Sequence, residues 1–191
     1  MIYSHLLTKL EFDKQGLVTL FDNLHQEWLG GNPSVEITKW RRGKKSVNKI
    51  SDMTPTQQLE DTYNKIKLTC EEMNEFPVVQ NIIEQLPPSL ILGTRSFSFV
   101  RFASGYKPPF HHDDRNAVIV MQLSENPLPG EWCDENNNVI YTQDYSHGYA
   151  ALCEAQTPHR ALVRDDEDRL NFQLGVRVPW DQAVSILRYL M

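Results

Sequence analysis

The sequence predicts an α+β chain in which N-terminal helices back a β-sandwich or jelly-roll barrel. Two observations predict it. Through residue 89 apolar residues recur at helical spacing, whereas from Leu90 onward short β-rich runs alternate with turns. The last of those runs, Arg169 to Val178, puts Leu170, Phe172, Leu174, Val176 and Val178 on one face and Arg169, Asn171, Gln173, Gly175 and Arg177 on the other. The apolar face calls for a covering layer, which the helices can supply. The polar face is costly to bury unless it looks onto water, a ligand or a metal. The expected organisation is one domain, 1–191: a mainly helical support and substrate-side region at 1–89, a barrel core at 90–179 and a closing helix at 180–191.

The elements follow in order. Leu17, Leu20, Phe21, Leu24 and Trp28 fall on one helical stripe that Gly30-Gly31-Asn32-Pro33 stops. Lys39-Trp40-Arg41-Arg42-Gly43-Lys44-Lys45 is a basic cluster. It reads either as a solvated loop or edge-strand face, or as a contact for an anionic substrate with Trp40 stacking. A second helix is expected from Thr54-Pro55-Thr56, with Leu59, Tyr63, Ile66, Cys70 and Met73 as its core stripe. Val78 to Leu86 gives a short helix closed by Pro87-Pro88. Strands are expected at Phe97–Phe102, Ala117–Leu123, Val139–Thr142, Tyr149–Glu154, Arg160–Arg164 and Arg169–Val178, with turns at Asn126–Gly130, Asp134–Asn138 and Asp165–Asp168. Trp180 to Met191 closes as a helix.

Bulk properties exclude several classes. The net charge of −6 argues against general nucleic-acid affinity, which requires positive charge for the phosphates. No apolar run approaches the ~20 residues of a membrane span. No signal peptide is evident, and Cys70, Cys133 and Cys153 have no metal spacing, so they read as reduced thiols of a cytoplasmic protein. The sequence carries no signal for oligomeric state.

Chemistry concentrates in Phe110-His111-His112-Asp113-Asp114 and a distant His159. Two imidazoles and a carboxylate can hold iron on one side and leave the other positions open for substrate and oxygen. In His-x-Asp on a strand both ligands share a face. Two such pairs overlap, His111 with Asp113 and His112 with Asp114. They point to opposite faces, so only one can look inward.

These residues resemble the Fe(II)/2-oxoglutarate-dependent dioxygenase superfamily, most closely its prolyl-4-hydroxylase-like branch, over Ser96 to Pro179. Arg101-Phe102 leading through Gly105 to His111-x-Asp113 is similar to that branch's approach to the metal. Gln122-Leu123-Ser124 with Pro127 and Gly130-Glu131-Trp132 resembles its strand and turn. Gly148-Tyr149-Ala150-Ala151-Leu152 leading to Pro158-His159-Arg160 resembles its third-ligand strand, and Arg169 follows His159 by ten residues.

The resemblance implies a double-stranded β-helix (jelly-roll) barrel. It implies His111, Asp113 and His159 as catalytic metal ligands, with His112 and Asp114 as neighbours. Arg169, helped by Asn171, would hold the distal carboxylate of 2-oxoglutarate. The implied cofactors are Fe(II), 2-oxoglutarate and O2, with ascorbate as a supporting reductant. The implied reaction is hydroxylation of an amino acid, small metabolite or peptidyl residue, with release of succinate and CO2.

Departures matter. The branch's usual Tyr is Phe102 here, leaving Tyr106, Tyr149 and Gln173 as stand-ins. Nucleic-acid demethylases of the superfamily share Arg-x-Asn but carry a further Arg where this chain has Gly175. Alternatives are such a demethylase, or a non-catalytic jelly-roll binding protein.

The two registers separate experimentally. Asp113→Ala is expected to remove Fe(II) binding and Asp114→Ala only to weaken activity. The reverse result in an anaerobic Fe(II) titration would move the site one residue along the chain.

Overall fold

The computed structural model describes residues 2–29, 37–41, 44–48, 63–68, 70–92 and 94–191. In chain order the elements are β1 (Ser4–Leu7), α1 (Lys14–Leu29), β2 (Ile37–Arg41), β3 (Lys44–Asn48), β4 (Tyr63–Leu68), α2 (Cys70–Glu75), α3 (Pro77–Glu84), α4 (Pro88–Leu92), β5 (Thr94–Phe102), β6 (Ala117–Gln122), β7 (Gly130–Cys133), β8 (Val139–Gln143), β9 (Ala150–Glu154), β10 (His159–Ala161), β11 (Arg169–Val176) and α5 (Trp180–Leu187), which runs into a 3-10 turn. An eight-stranded sheet has the order β1-β9-β6-β11-β5-β4-β2-β3, and a three-stranded sheet the order β10-β7-β8. The pairings in both sheets are antiparallel.

The two faces of β11 organise the packing. Phe172 and Leu174 lie opposite Phe99 and Phe97 of β5 on one side, and opposite Met121 and Ile119 of β6 on the other. These apolar residues are buried in one cluster with Leu17, Leu20, Phe21 and Leu24 of α1, Val79 and Ile82 of α3, and Ala183 and Leu187 of α5. Phe99 and Phe172 meet at 4.7 Å, a tilted pair of the kind that aromatic quadrupoles favour. On the other face Val118 and Val120 of β6 and Ala151 and Cys153 of β9 pack with Trp132 and Tyr145, forming a smaller core against the three-stranded sheet. Gly130 lies against this core, where a Cβ would sit in ordinary van der Waals contact with the Tyr145 and Trp132 rings. Cys133 and Cys153 are free, buried thiols.

Several elements differ from the sequence reading. The helix expected from Thr54 to Met73 is overturned at Tyr63–Leu68, which forms strand β4 between β2 and β5. Tyr63 and Ile66 satisfy a helical spacing, but Ile66 and Leu68 also alternate with Lys65 and Lys67. They reach 1% and 6% exposure beside the Phe97–Phe99 side of β5, so sheet pairing decides the outcome. Cys70 and Met73 do enter a helix, the short α2. Thr54 to Leu59 and the Gly30–Pro33 stop lie outside the described residues.

The basic cluster, apart from Arg42 and Gly43, which also lie outside them, runs along the β2–β3 hairpin at the edge of the large sheet. Among the described residues, 1–89 therefore supply four strands as well as helices. β1 and β7 were not anticipated as strands; both are four residues long, too short for a periodicity to show. No helix among the described residues is long and apolar enough to cross a membrane.

Phe172 is fully buried. Phe172→Ala is expected to cost about 3–5 kcal/mol in urea unfolding. Val139→Ala, on the exposed edge strand β8, should stay within about 0.5 kcal/mol of wild type. Comparable losses at both positions would mean that the central sheet is not the core.

Candidate active site

His111 and His159 are joined through their backbones. His111 N–H donates to the His159 carbonyl at 3.0 Å, and His159 N–H returns the bond at 2.8 Å. The two rings thereby lie 4.7 Å apart. Each Nδ1 faces a carbonyl, Pro109 O at 3.2 Å for His111 and Thr157 O at 2.9 Å for His159. A carbonyl can only accept, so the proton belongs on Nδ1 and the lone pair on Nε2, the form that ligates a metal. His159 stands opposite Trp132 of β7, whose ring is 6.1 Å away and whose Nε1 donates to Glu154 O at 3.0 Å. On the opposite face of the bridge Arg160 lies 4.3 Å over Phe110 and donates to Glu131 at 2.8 Å.

Asp113 is tied to the end of β9 by its N–H, which donates to Ala155 O at 2.8 Å. Its Oδ2 accepts from Arg115 Nε at 2.8 Å. Burial pushes the Asp113 carboxyl up. The charge and hydrogen bond of Arg115, aided by His159 and His111, outweigh that and hold it below the usual carboxylate range. Burial and the neighbouring His111 hold His159 below the usual histidine range, against the opposing pull of the Thr157 carbonyl and Asp113. His112 and Asp114 are exposed.

Arg169, the first residue of β11, is 4% exposed. Its Nη1 donates to the carbonyls of Leu128 at 2.6 Å, Pro129 at 3.1 Å and Leu162 at 2.7 Å, and its guanidinium carbon sits 5.2 Å from the Tyr145 ring. Its Nε has no hydrogen-bond partner among the described residues. The acidic turn does not supply one: Asp168 pairs with Arg101 and Asp166 with Arg164.

Further along the same face Asn171 lies opposite Gln122 of β6, and Gln173 lies opposite Ser98 of β5. Ser98, Gln122 and Asn171 are at most 2% exposed. Among the described residues, Ser98 Oγ, both amide atoms of Gln122 and Asn171 Oδ1 find no hydrogen-bond partner, like Arg169 Nε. An unmade bond of this kind costs about 1–3 kcal/mol. Of the stand-ins considered for Phe102, Tyr106 stacks on Phe102 itself at 6.2 Å, Tyr149 is 43% exposed, and Gln173 lies on the strip.

The structure thus brings His111, Asp113 and His159 into one neighbourhood and sets Arg169 with Asn171 on a buried polar face. As they stand, no group of three His, Cys, Asp or Glu side chains among the described residues closes around a metal-sized point. The donor set nevertheless fits a 2-His-1-carboxylate ion in kind, with two unprotonated Nε2 atoms and a carboxylate that has one oxygen engaged by Arg115. Sequence reading missed Arg115, Gln122, Ser98 and Tyr145. Gln122 ends a buried apolar run and Ser98 sits between two buried phenylalanines, so polar residues in apolar strands were the available signal. Tyr145 carried none.

No protein-family model matches the sequence, and no curated protein does. Solved structures do. The ribosomal oxygenase YcfD from Escherichia coli matches at 14% identity and a TM-score of 0.55, over 86% of this chain and 45% of that one. The same enzyme in complex with cobalt and succinic acid matches at 13% identity and 0.53, over the same shares of 86% and 45%. AtDAO1, the dioxygenase for auxin oxidation 1 from Arabidopsis thaliana, in its binary complex with 2-oxoglutarate, matches at 12% identity and 0.51, over 88% of this chain and 80% of that one. The chain therefore spans somewhat under half the length of YcfD. It shares the fold of the Fe(II)/2-oxoglutarate oxygenases, which bears out the superfamily resemblance at the level of fold.

The His159 environment has a pH consequence. Its folded pKa lies below 6.5, so on acidification the unfolded chain takes up a proton that the folded state resists. Stability is lost as pH falls from 6.5 through the folded value, and this group adds no pH dependence above that. Asp113, also depressed, keeps its contribution above 3.8 and loses it only as pH falls through its lower folded value. The metal-free melting temperature should therefore decline less steeply from about pH 7 to about pH 5 in His159→Gln than in wild type. Equal slopes would place His159 in water.

Proposed function

We propose that this chain is an Fe(II)- and 2-oxoglutarate-dependent oxygenase that hydroxylates an amino acid, small metabolite or peptidyl residue on a double-stranded β-helix, with release of succinate and CO2. The observation that carries it is Arg169. It is buried, anchored through Nη1 to three carbonyls and, among the described residues, has no carboxylate partner and shares its face with polar groups that find no hydrogen bond. An arginine fixed at one terminal nitrogen still presents the edge made by Nε and Nη2, the fork that matches a carboxylate.

The roles proposed for the residues are as follows. His111, Asp113 and His159 would hold the iron, the imidazoles through Nε2 because Nδ1 is committed to backbone carbonyls. Arg169 would hold the distal carboxylate of the cosubstrate, with Asn171 and Gln122 adding hydrogen bonds. When bound, iron and 2-oxoglutarate supply the oxidising chemistry, which no side chain can provide. The protein binds and orients them, keeps Asp113 ionised and His159 neutral, and walls off water with Trp132 and Tyr145. The succinic acid and 2-oxoglutarate bound by structural neighbours support a dicarboxylate here. The net charge of −6 and Gly175 weigh against a nucleic-acid substrate.

The test is an anaerobic titration with Fe(II) and 2-oxoglutarate, followed by a substrate screen that reads succinate. His159→Ala is expected to abolish iron-dependent succinate release. Arg169→Gln should raise the KM for 2-oxoglutarate about ten- to hundredfold, the loss of one charge-assisted pair, with Fe(II) affinity near wild type. Because Nη1 also ties three carbonyls, this variant should melt earlier, so KM is read well below its Tm. Wild-type KM in Arg169→Gln would sink the assignment. Tight binding of both ligands with no succinate from any substrate would favour a binding protein.

A further inference from the structure

Beyond keeping Asp113 ionised, Arg115 has no part in the roles above; it is 9% exposed and its Nε donates to Asp113 Oδ2 at 2.8 Å. The pair is clamped from behind by a single residue. Ala155 accepts from Asp113 N–H at 2.8 Å, and its own N–H donates to Asn116 O at 3.2 Å. Asn116 in turn donates through Nδ2 to the Arg177 carbonyl. The backbone on both sides of Arg115 is therefore tied to the residue that follows β9.

We infer that Arg115 is a positioning residue that reserves one oxygen of Asp113, so that the carboxylate can ligate a metal through the other oxygen only. This rests on the reading of Asp113 as a metal ligand. The two imidazoles each have one available nitrogen, so Asp113 is the member of the set whose denticity can vary; carboxylates bind cations through one oxygen or both. On an octahedral ion, two imidazoles and one oxygen leave three positions, enough for a chelating 2-oxo acid and for dioxygen. A second Asp113 oxygen would take one of them. Arg115 suits the task better than lysine because its planar guanidinium stays charged at any working pH and directs Nε–H along a fixed line. A purely structural ion pair would show the same geometry, so the experiment must read coordination as well as stability.

The probe is Co(II), which reports its ligand set in its visible d–d spectrum, with 2-oxoglutarate as the second ligand. Affinities are read by calorimetry on wild type, Arg115→Met, Arg115→Lys and Asp113→Ala, each checked for folding by melting. Wild type is expected to bind Co(II) and then 2-oxoglutarate. Arg115→Met should bind Co(II) within about threefold of wild type with an altered spectrum, and 2-oxoglutarate at least about tenfold more weakly, the scale on which outer partners of metal ligands act. Arg115→Lys, which keeps a cation on Oδ2, should recover part of that loss.

A Co(II)-loaded Arg115→Met protein with wild-type spectrum and 2-oxoglutarate affinity, differing only in Tm, would overturn the inference and leave a structural ion pair. Should that variant not fold, Arg115→Gln is read in the same way. Failure of the wild type to bind Co(II), or undiminished binding by Asp113→Ala, would instead overturn the underlying reading of the site.

Discussion

The structure depends on the strict two-residue period of β11. Its odd positions cannot be changed from polar to apolar without emptying one side of the sheet, and a slip of one residue would drive Arg169 into the helices and Phe172 into the cleft. Because β11 is central, with β5 and β6 bonded on either side, the constraint spreads outward. Phe97, Phe99, Ile119 and Met121 must match its apolar face, and Ser98 and Gln122 are left on its polar one. The helical layer and the candidate cofactor strip are thus two consequences of one alternation. The apolar face provides the burial that stabilises the fold, and this lets the opposite face hold unsatisfied polar groups that would otherwise be ruinous.

The site uses a different device on the other sheet. The two histidines are not neighbours in sequence, but a reciprocal pair of backbone hydrogen bonds makes them neighbours in space. Main-chain pairing fixes the Cα positions, and the carbonyls of Pro109 and Thr157, each two residues before its histidine, fix the rings. Both carbonyls belong to segments around prolines, Pro108-Pro109 and Pro158, where the backbone is already restricted. Ring orientation is therefore set locally, while the distance between rings is set by long-range pairing.

That division explains what could be read from the sequence. Strand parity made β11, β5 and β6 legible, since alternation and apolar runs are local signals. Chain order and ligand spacing made His111, Asp113, His159 and Arg169 legible as a set. What stayed hidden was everything decided by a partner far along the chain. Tyr63 to Leu68 fits a helical stripe until β5 offers an apolar face and a free edge. Ser4 to Leu7 is too short to announce itself and exists because β9 needs a neighbour. Tyr145 looks like any loop aromatic until Gly130, Cys153 and Arg169 close around it. Arg115 reads as a surface residue in the sequence, yet it is buried against Asp113, two residues before it.

The distribution of charge completes the logic of the cleft. The chain is acidic overall, and its acidic turn lies immediately before Arg169, so the simplest expectation is that the turn neutralises that arginine. The fold prevents this by assigning the turn's carboxylates elsewhere. Asp168 goes to Arg101, which sits on the helix-facing side of β5, and it also accepts from Ser104 N–H; Asp166 goes to Arg164. Asp113 is likewise taken by Arg115. Arg169 is left with carbonyl oxygens, which satisfy Nη1 but do not cancel a full charge. Burial lowers the pKa of its guanidinium, opposed only by Tyr145 and Cys153, yet an arginine stays protonated under any working condition. A cation kept dry and without a counter-ion is strongly unfavourable unless an anion arrives. Among the described residues, then, carbonyl oxygens and not carboxylates surround Arg169.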